Sequence, residues 1–437
     1  MTEAKKIIMH SSALSIYKLL FPVLLGAAKL LNRLHPRLRT FFSVRKGLFE
    51  ELEKTAEKLP PSAFRMWVHA ASVGEFEQAR PIIAAMKEKH PDIILFVSFL
   101  SDSGYNARKN FPDASAVFYL PPDTANNAKR LIALLRPDLL LLMRYDFWPN
   151  HLLEAKKQGT TLMLAAAVLQ THAPYFNPLL NSFYRTIFHL FDSIYTASEK
   201  DSTAFRELFG CMRVETAGDP RFDQVVLRSR NHARVDHLKP LFENLTVLVA
   251  GSVWEKDETV LLDAWQTLAK RPSLIMVPHQ VTPENLAHLE ADLLKRSLSS
   301  VRISQLNGSF DPRRQILIID QTGYLAELYT IASMAYVGGG FGVNVHNTLE
   351  PAVFAIPVLF GPRYHNSPEA EDLAASGGGT VIHNGNELAA ALKIFSDESA
   401  KRVATGEIAG RFVRERAGAT AIIVTGIERE YAAHKRA

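Results

Sequence analysis

Past Pro60-Pro61 the chain alternates short runs of β-branched, aliphatic and aromatic residues with longer amphipathic stretches, and it does so twice. The first series of runs covers 66–71, 93–100, 116–120, 139–143, 161–166 and 193–197, with helical patterns such as 75–89 and 126–135 between them. Residues 223–244 are polar and poor in strand formers, and read as a linker. A second series follows at 245–250, 274–277, 315–319, 334–337, 357–359 and 380–382. Alternating β and α at this spacing demands parallel sheets with helices on both faces. Two Rossmann-like halves facing a cleft suit a two-substrate enzyme, because ligands sit at the carboxyl ends of such strands. The expected domains are 50–222 and 245–437, preceded by a separate segment, 1–49.

That first segment has its own character. Of the 437 residues, the first 49 hold nine Lys and Arg against one acid, a net charge of +8; the rest hold 41 against 44, a net charge of −3. The basic balance therefore belongs to the N-terminus, and the body does not have the composition of a nucleic-acid-binding surface. Between Lys18 and Lys29 lies a ten-residue apolar run broken by Pro22, short of the roughly 20 apolar residues of a bilayer span. Ile16, Leu19, Leu20, Val23, Ala27, Leu30, Leu31 and Leu34 fall at helical steps, with Lys18, Lys29 and Arg33 on the other side and Arg37, Arg39, Arg45 and Lys46 beyond. Such a helix lies in the headgroup layer of an anionic membrane. The same stripe suits an ordinary helix packed on the core, and the pattern fits both. No small-residue cleavage site follows the run as a signal peptide requires. The one cysteine, Cys211, excludes an internal disulfide framework and fits a reducing compartment.

Five stretches carry polar residues where strands give way to helices. Glu75 follows the first run across a short loop; it is a candidate general base or simply an acid at a helix start. Arg221, in Gly218-Asp-Pro-Arg-Phe-Asp223, can neutralise a phosphate as guanidinium forks do, or pair with Asp219 or Asp223 in a turn. Gly251-Ser252 reads as a helix start offering backbone N–H groups to phosphate, or as a turn with Ser252 as N-cap. The glycines 338–340 let backbone approach a ligand. Asn347 and Glu350 then form either a capping box or a contact from Glu350 to two ribose hydroxyls. Asp320 to Tyr324 repeats the strand-to-helix pattern. The spacing of His69, His279, His346 and His365 is not that of zinc ligands, so no metal is expected.

Taken in order, His69-Ala-Ala-Ser-Val-Gly-Glu75, Phe147-Trp-Pro-Asn150, Gly218 to Asp223, Ala250-Gly-Ser252, and His346-Asn-Thr-Leu-Glu-Pro-Ala352 with Phe360-Gly-Pro362 resemble the 3-deoxy-D-manno-octulosonic acid (Kdo) transferase family of Gram-negative bacteria. The resemblance runs over nearly the whole chain. It implies a GT-B fold and an inverting, metal-independent transfer of Kdo from CMP-Kdo to the lipid A precursor, an acylated, bisphosphorylated glucosamine disaccharide. It places the work on the cytoplasmic face of the inner membrane. By the same resemblance 50–222 binds the acceptor and 245–437 the CMP-sugar. Glu75 stands at the general base. Arg221 stands where the family usually has a lysine that stabilises the transition state. Asn347, Thr348, Leu349 and Glu350 match the block that binds CMP. Ser252, Pro278, His279, Thr322, Gly323 and Tyr324 fall at the other donor positions.

The chain departs from the family pattern at several points. Arg144 replaces a glutamate in the stretch before Phe147-Trp-Pro-Asn150, and Pro278-His279-Gln280 replaces Pro-Arg-His. Residues 165–169 lack the usual arginine, and Thr322-Gly323-Tyr324 replaces Met-Gly-Glu. Two rival readings remain: a GT-B transferase using a UDP-sugar, and a non-catalytic protein that binds lipid A.

Overall fold

The computed structural model describes residues 12–169 and 173–436. They form two compact units. One runs to Gln224 and resumes at Gly418; the other is Val225–Ala417.

The first unit holds a parallel sheet of seven strands: β1 (Arg65–Ala70), β2 (Ile94–Phe99), β3 (Ala116–Tyr119), β4 (Leu139–Met143), β5 (Thr161–Ala167), β6 (Ser193–Thr196) and β7 (Val214–Thr216), in the order β3-β2-β1-β4-β5-β6-β7. β1, β2 and β4 are buried along their whole length, as strands covered on both faces must be. Successive residues feed opposite layers: Trp67 packs in one core, Met66 and Val68 in the other. The order reverses direction between β1 and β4, so that their carboxyl ends flank the switch point where ligands bind in such sheets.

The second unit holds β8 (Val247–Val253), β9 (Ser273–Pro278), β10 (Ser299–Arg302), β11 (Gln315–Ile318), β12 (Met334–Val337), β13 (Val358–Phe360) and β14 (Gly379–Val381), in the order β10-β11-β9-β8-β12-β13-β14. All pairings are parallel. The switch point lies between β8 and β12.

Three expectations change. The stretch 223–244 is not a bare linker. The helix Pro220–Ser229 carries the chain from one unit into the next. Val235, Leu238 and Phe242 then bury themselves in the second unit's core; their three- and four-residue spacing is a short apolar stripe among polar neighbours. Nor does the second unit extend to the end of the chain. The helix Ala419–His434 returns to the first unit, where Ile423, Val424 and Ile427 join the core layer of Met66 and Val68. Asp223 fixes the return by accepting hydrogen bonds from Gly418 N (2.8 Å) and Thr420 N (3.1 Å). A Cβ at Gly426 would lie 1.9 Å from the Tyr195 hydroxyl, so this helix approaches the sheet only through glycine.

The third change is at the N-terminus. The helix Ser12–Leu31 continues through Pro22, and its segment Ala13–Leu31 is long and apolar enough to cross a membrane by length and composition. It is not a core helix: Leu19 is 73% exposed and Leu30 82%. The opposite stripe docks on the first unit. Leu14 is buried, Tyr17 donates to Asp123 Oδ2 (2.8 Å), and Phe21 meets Trp148 edge-on. Arg45 leaves the cationic group expected to face headgroups. Its guanidinium donates to the carbonyls of Leu120 (2.8 Å) and Leu100 (3.0 Å), and burial lowers it to about 10.

Candidate active site

At the first switch point, Ser72 caps the helix Val73–Lys89 by accepting from Glu75 N. The Glu75 carboxylate turns back to accept from Ala71 N at 2.6 Å. Glu75 is thus a helix-start acid, but a buried one. Burial raises it above the ordinary carboxyl value, the Ala71 N–H opposes this, Asp146 adds to it, and His69 and Arg144 act against it.

Beside it runs a buried chain of hydrogen bonds. Trp67 Nε1 donates to Ser98 Oγ (2.8 Å), Ser98 meets His69 Nδ1 (2.8 Å), and His69 Nε2 meets Asp146 Oδ2 (2.8 Å). Trp148 Nε1 donates to the same oxygen (3.0 Å). Burial pushes Asp146 up, but the His69 hydrogen bond and charge and the Trp148 N–H outweigh it and hold Asp146 below its ordinary value. Two neighbouring carboxyls are therefore driven apart, an arrangement that separates acid–base roles.

A second network joins the same helix to the segment after β7. Arg221 donates from N and Nε to Asp219 (2.9 Å each), and its Nη2 lies 2.8 Å from Asp219 Oδ2. The turn pairing considered from sequence therefore forms, with Arg221 still 33% exposed. Gln78 donates to Asp219 (3.0 Å) and accepts from Arg144 Nε (3.0 Å). Arg144 stands at φ 60°, a left-handed conformation that costs an ordinary residue roughly 1–2 kcal/mol.

The donor positions expected from sequence lie in the second unit, at the carboxyl ends of its strands or in the segments that follow them. Ser252, Pro278 and the glycines 338–340 come from β8, β9 and β12, which are neighbours. Their local chemistry differs from expectation. Gly251 and Ser252 do not open a helix; they lie inside β8, where a register shift and φ 55° at Ser252 mark a bulge. The glycine loop faces the protein's own buried Asp257, which accepts from Gly339 N (2.8 Å), Phe341 N (3.4 Å) and the Tyr336 hydroxyl (2.9 Å). A Cβ at Gly338 would meet Ser252 O at 2.3 Å, so close packing of β8 on β12 accounts for that glycine. Asp257 also accepts from Trp254 N (3.2 Å) at the start of its own helix, whereas its bonds to Tyr336 and Gly339 span 79 and 82 residues and no short sequence pattern marks them.

His279 N donates to Val253 O (2.9 Å). The His279 ring stacks on both Trp254 (4.5 Å) and His346 (4.3 Å). Trp254 and His346 are nearly parallel at 9°, and Trp254 Nε1 donates to His346 Nε2 (2.9 Å). That bond leaves no room for a proton on His346 Nε2. Gly323, at φ 88°, follows Thr322 and precedes Tyr324, the residue before the helix Leu325–Leu328; its carbonyl accepts from Arg234 (3.2 Å). Asn347 is not the N-cap: Thr348 is, and the Asn347 side chain accepts from Leu349 N (3.0 Å). Glu350 is ion-paired with Arg228 at 2.7 Å. Among the described residues no three His, Cys, Asp or Glu side chains are grouped to hold a metal ion.

Comparison with known proteins places this arrangement. The model of a family described as 3-deoxy-D-manno-octulosonic-acid transferase matches residues 29–224. A 3-deoxy-D-manno-octulosonic acid transferase of Chlamydophila psittaci is 27% identical over 91% of this chain and 91% of its own. One of Aquifex aeolicus is 27% identical over 79% of this chain and 89% of its own. Among solved structures, the UDP-GlcNAc 2-epimerase of Neisseria meningitidis, bound to UDP-GlcNAc, matches 84% of this chain and 100% of its own, with TM-score 0.57 and 14% identity. A glycosyltransferase of Rickettsia africae matches 84% and 98%, with TM-score 0.52 and 11% identity. These likenesses show a GT-B-like fold built on two seven-stranded parallel sheets. Motifs, family model and relatives agree: over most of its length the chain is similar to 3-deoxy-D-manno-octulosonic-acid transferases.

Proposed function

We propose that this protein is an inverting glycosyltransferase that moves Kdo from CMP-Kdo to the lipid A precursor. The observation that carries the reading is the pair of carboxyls at the first switch point, Glu75 pushed up and Asp146 held down. A buried carboxylate with a raised value is a stronger base than one in water. Glu75 takes the proton from a primary hydroxyl of the glucosamine acceptor. The oxygen attacks the anomeric carbon of Kdo as the bond to CMP breaks, and the electron pair leaves with the phosphate. Arg221 supplies positive charge for a phosphate oxygen, the kind of electrostatic term that dominates many enzymes. Asn347, Thr348, Leu349 and Glu350, with Ser252 in β8, Pro278 and His279 at the end of β9, and Thr322, Gly323 and Tyr324 after β11, hold the CMP portion, and no metal takes part. The exposed apolar face of the N-terminal helix and its Lys18 and Lys29 seat the enzyme on the anionic cytoplasmic face of the inner membrane, where an acylated acceptor resides.

The test is a transfer assay with the full chain, CMP-Kdo and the lipid A precursor, with product mass as the readout. A mass increase of one or more Kdo residues is expected. No transfer from CMP-Kdo, with transfer from UDP-GlcNAc under the same conditions, would refute the donor assignment.

A further inference from the structure

We propose that Tyr17 and Phe21 of the N-terminal helix are positioning residues for the reaction: through Asp123 and Trp148 they hold in place the segment that carries Asp146. The proposal goes beyond the reading of the reaction above and rests on it for the roles of Glu75 and Asp146.

The first observation is how the helix docks. Its partly buried positions 17, 21, 25 and 28 follow buried Leu14 at three- and four-residue steps, a single stripe of a helix. Leu14 enters the core layer of Trp67, and Trp148 packs against the same layer. Ile16, Leu19, Leu20 and Val23 lie off this stripe and stay exposed. The stripe that faces the protein is thus distinct from the face left for a lipid surface.

The second is what the stripe touches. Between β4 and the helix Pro149–Lys157 runs the segment with Asp146 and Trp148. Trp148 is the N-cap residue of that helix, and an indole N–H donates only, so it cannot accept from the free N–H groups of the first turn. Asp123, fully buried, accepts from Asn150 N and His151 N instead (2.9 Å each). The Tyr17 hydroxyl donates to Asp123 Oδ2 (2.8 Å), the oxygen that takes Asn150 N. A buried carboxylate depends on its donors, so the helix start beside Trp148 is fixed in part from Tyr17.

The third is a line of contacts to the acid–base pair. Phe21 meets Trp148 edge-on, with ring centroids 6.3 Å apart. Trp148 Nε1 donates to Asp146 Oδ2 (3.0 Å), the oxygen that also meets His69 Nε2 (2.8 Å). Burial raises Glu75 and the Asp146 charge adds to this, against the Ala71 N–H, His69 and Arg144. A group that holds a reacting carboxyl keeps its geometry only when its own side chain is locked by packing. Phe21 supplies that packing to Trp148 from the membrane helix.

The experiment uses the full chain with Tyr17→Phe, Phe21→Ala and Phe21→Tyr. CMP-Kdo and the lipid A precursor are supplied in non-ionic detergent micelles, so that no membrane recruits the enzyme, and turnover is read well below each melting temperature. Tyr17→Phe and Phe21→Ala are expected to lower kcat at least about tenfold, since small misplacements far from the chemistry cost up to about 10²-fold. The KM for CMP-Kdo should stay unchanged, and both variants should still bind phosphatidylglycerol vesicles. Phe21→Tyr keeps the ring and should restore kcat. Where Phe21→Ala melts too low to assay, Tyr17→Phe, which removes a single oxygen, decides. Normal kcat in the variants overturns the proposal, even where vesicle binding is lost, because the helix is then an anchor alone. If the unmodified enzyme shows no transfer, the reaction is misread, and hydrogen exchange tests the support by itself. Backbone N–H groups of residues 146–151 should exchange faster in Tyr17→Phe and Phe21→Ala than in the unmodified chain. Equal exchange rates overturn the proposal.

Discussion

Glu75 shows what a single residue gains from its surroundings. Its carboxyl is kept in a site whose burial favours the protonated form. The folded state therefore holds the proton more tightly than the unfolded chain. The resulting penalty on stability is absent below the ordinary value of 4.5 and grows as pH rises through the higher folded value. Glu75→Gln should lower turnover about 10²–10⁴-fold, the range for acid–base groups, while its melting temperature at neutral pH matches or exceeds that of the unmodified enzyme. The difference in melting temperature should shrink as pH is lowered toward 4.5. A variant that turns over normally would remove Glu75 from the mechanism. Glu350 is the counterpart in the second unit. Glu350→Ala should raise the CMP dissociation constant at least about tenfold, one decade being 1.4 kcal/mol, with calorimetry as the check. The position of Glu75 at a helix start was legible from its motif. Its neighbours were less so: the bonds of His69 to Asp146 and of Gln78 to Asp219 span 77 and 141 residues, and no local spacing encodes them. The partner of Glu350, Arg228, lies 122 residues away for the same reason.

Among the elements, those buried on both faces were readable as continuous apolar runs and the edge strands β3 and β14 were readable too, whereas the edge strands β7 and β10 were not. β7 has three residues with one buried, and β10 has none buried; neither has enough apolar side chains to stand out from a loop. The stack of His279 over Trp254 and His346 was also hidden, since each ring comes from a different loop. It makes a pH prediction. Burial lowers His279, and burial with the His279 charge lowers His346, from the ordinary 6.5. The unfolded chain takes up these protons first as pH falls. The stabilising contribution is therefore complete above 6.5 and is lost between 6.5 and the lower folded values. Trp254 fluorescence should follow that loss. His346→Gln, whose amide oxygen can accept from Trp254 without titrating, should flatten it. For the N-terminal helix, replacing Leu19, Val23 and Leu30 together by Ser should abolish binding to anionic vesicles and leave the melting temperature unchanged, because all three side chains are exposed. Vesicle binding that survives would place the docking surface elsewhere.

At the scale of the molecule, the two-unit division was plain from the double alternation, whereas the return of Ala419–His434 to the first unit was not. Its amphipathic pattern specifies an apolar stripe and leaves open which sheet receives it. Ile423, Val424 and Ile427 are buried there, each contributing about 1.5–3 kcal/mol. Deleting residues 418–437 should therefore cost the first unit much of a typical domain's margin of about 5–15 kcal/mol. Gly426→Ala should destabilise the same unit, because the new Cβ would overlap the Tyr195 hydroxyl. Both effects are measurable by thermal melting.

The return helix also orders events during synthesis. A ribosome delivers Val225–Ala417 as one uninterrupted length, so that unit can fold as soon as it emerges. The first unit, although translated earlier, has only part of the layer that packs with Met66 and Val68, from the helix Val73–Lys89, until Ala419–His434 adds Ile423, Val424 and Ile427. For most of elongation the part of that layer which Ile423, Val424 and Ile427 fill stays uncovered, the kind of apolar surface on which nascent chains aggregate. The part made first is thus the part finished last, and a message cut short after the second unit would yield one sound half and one that depends on chaperones.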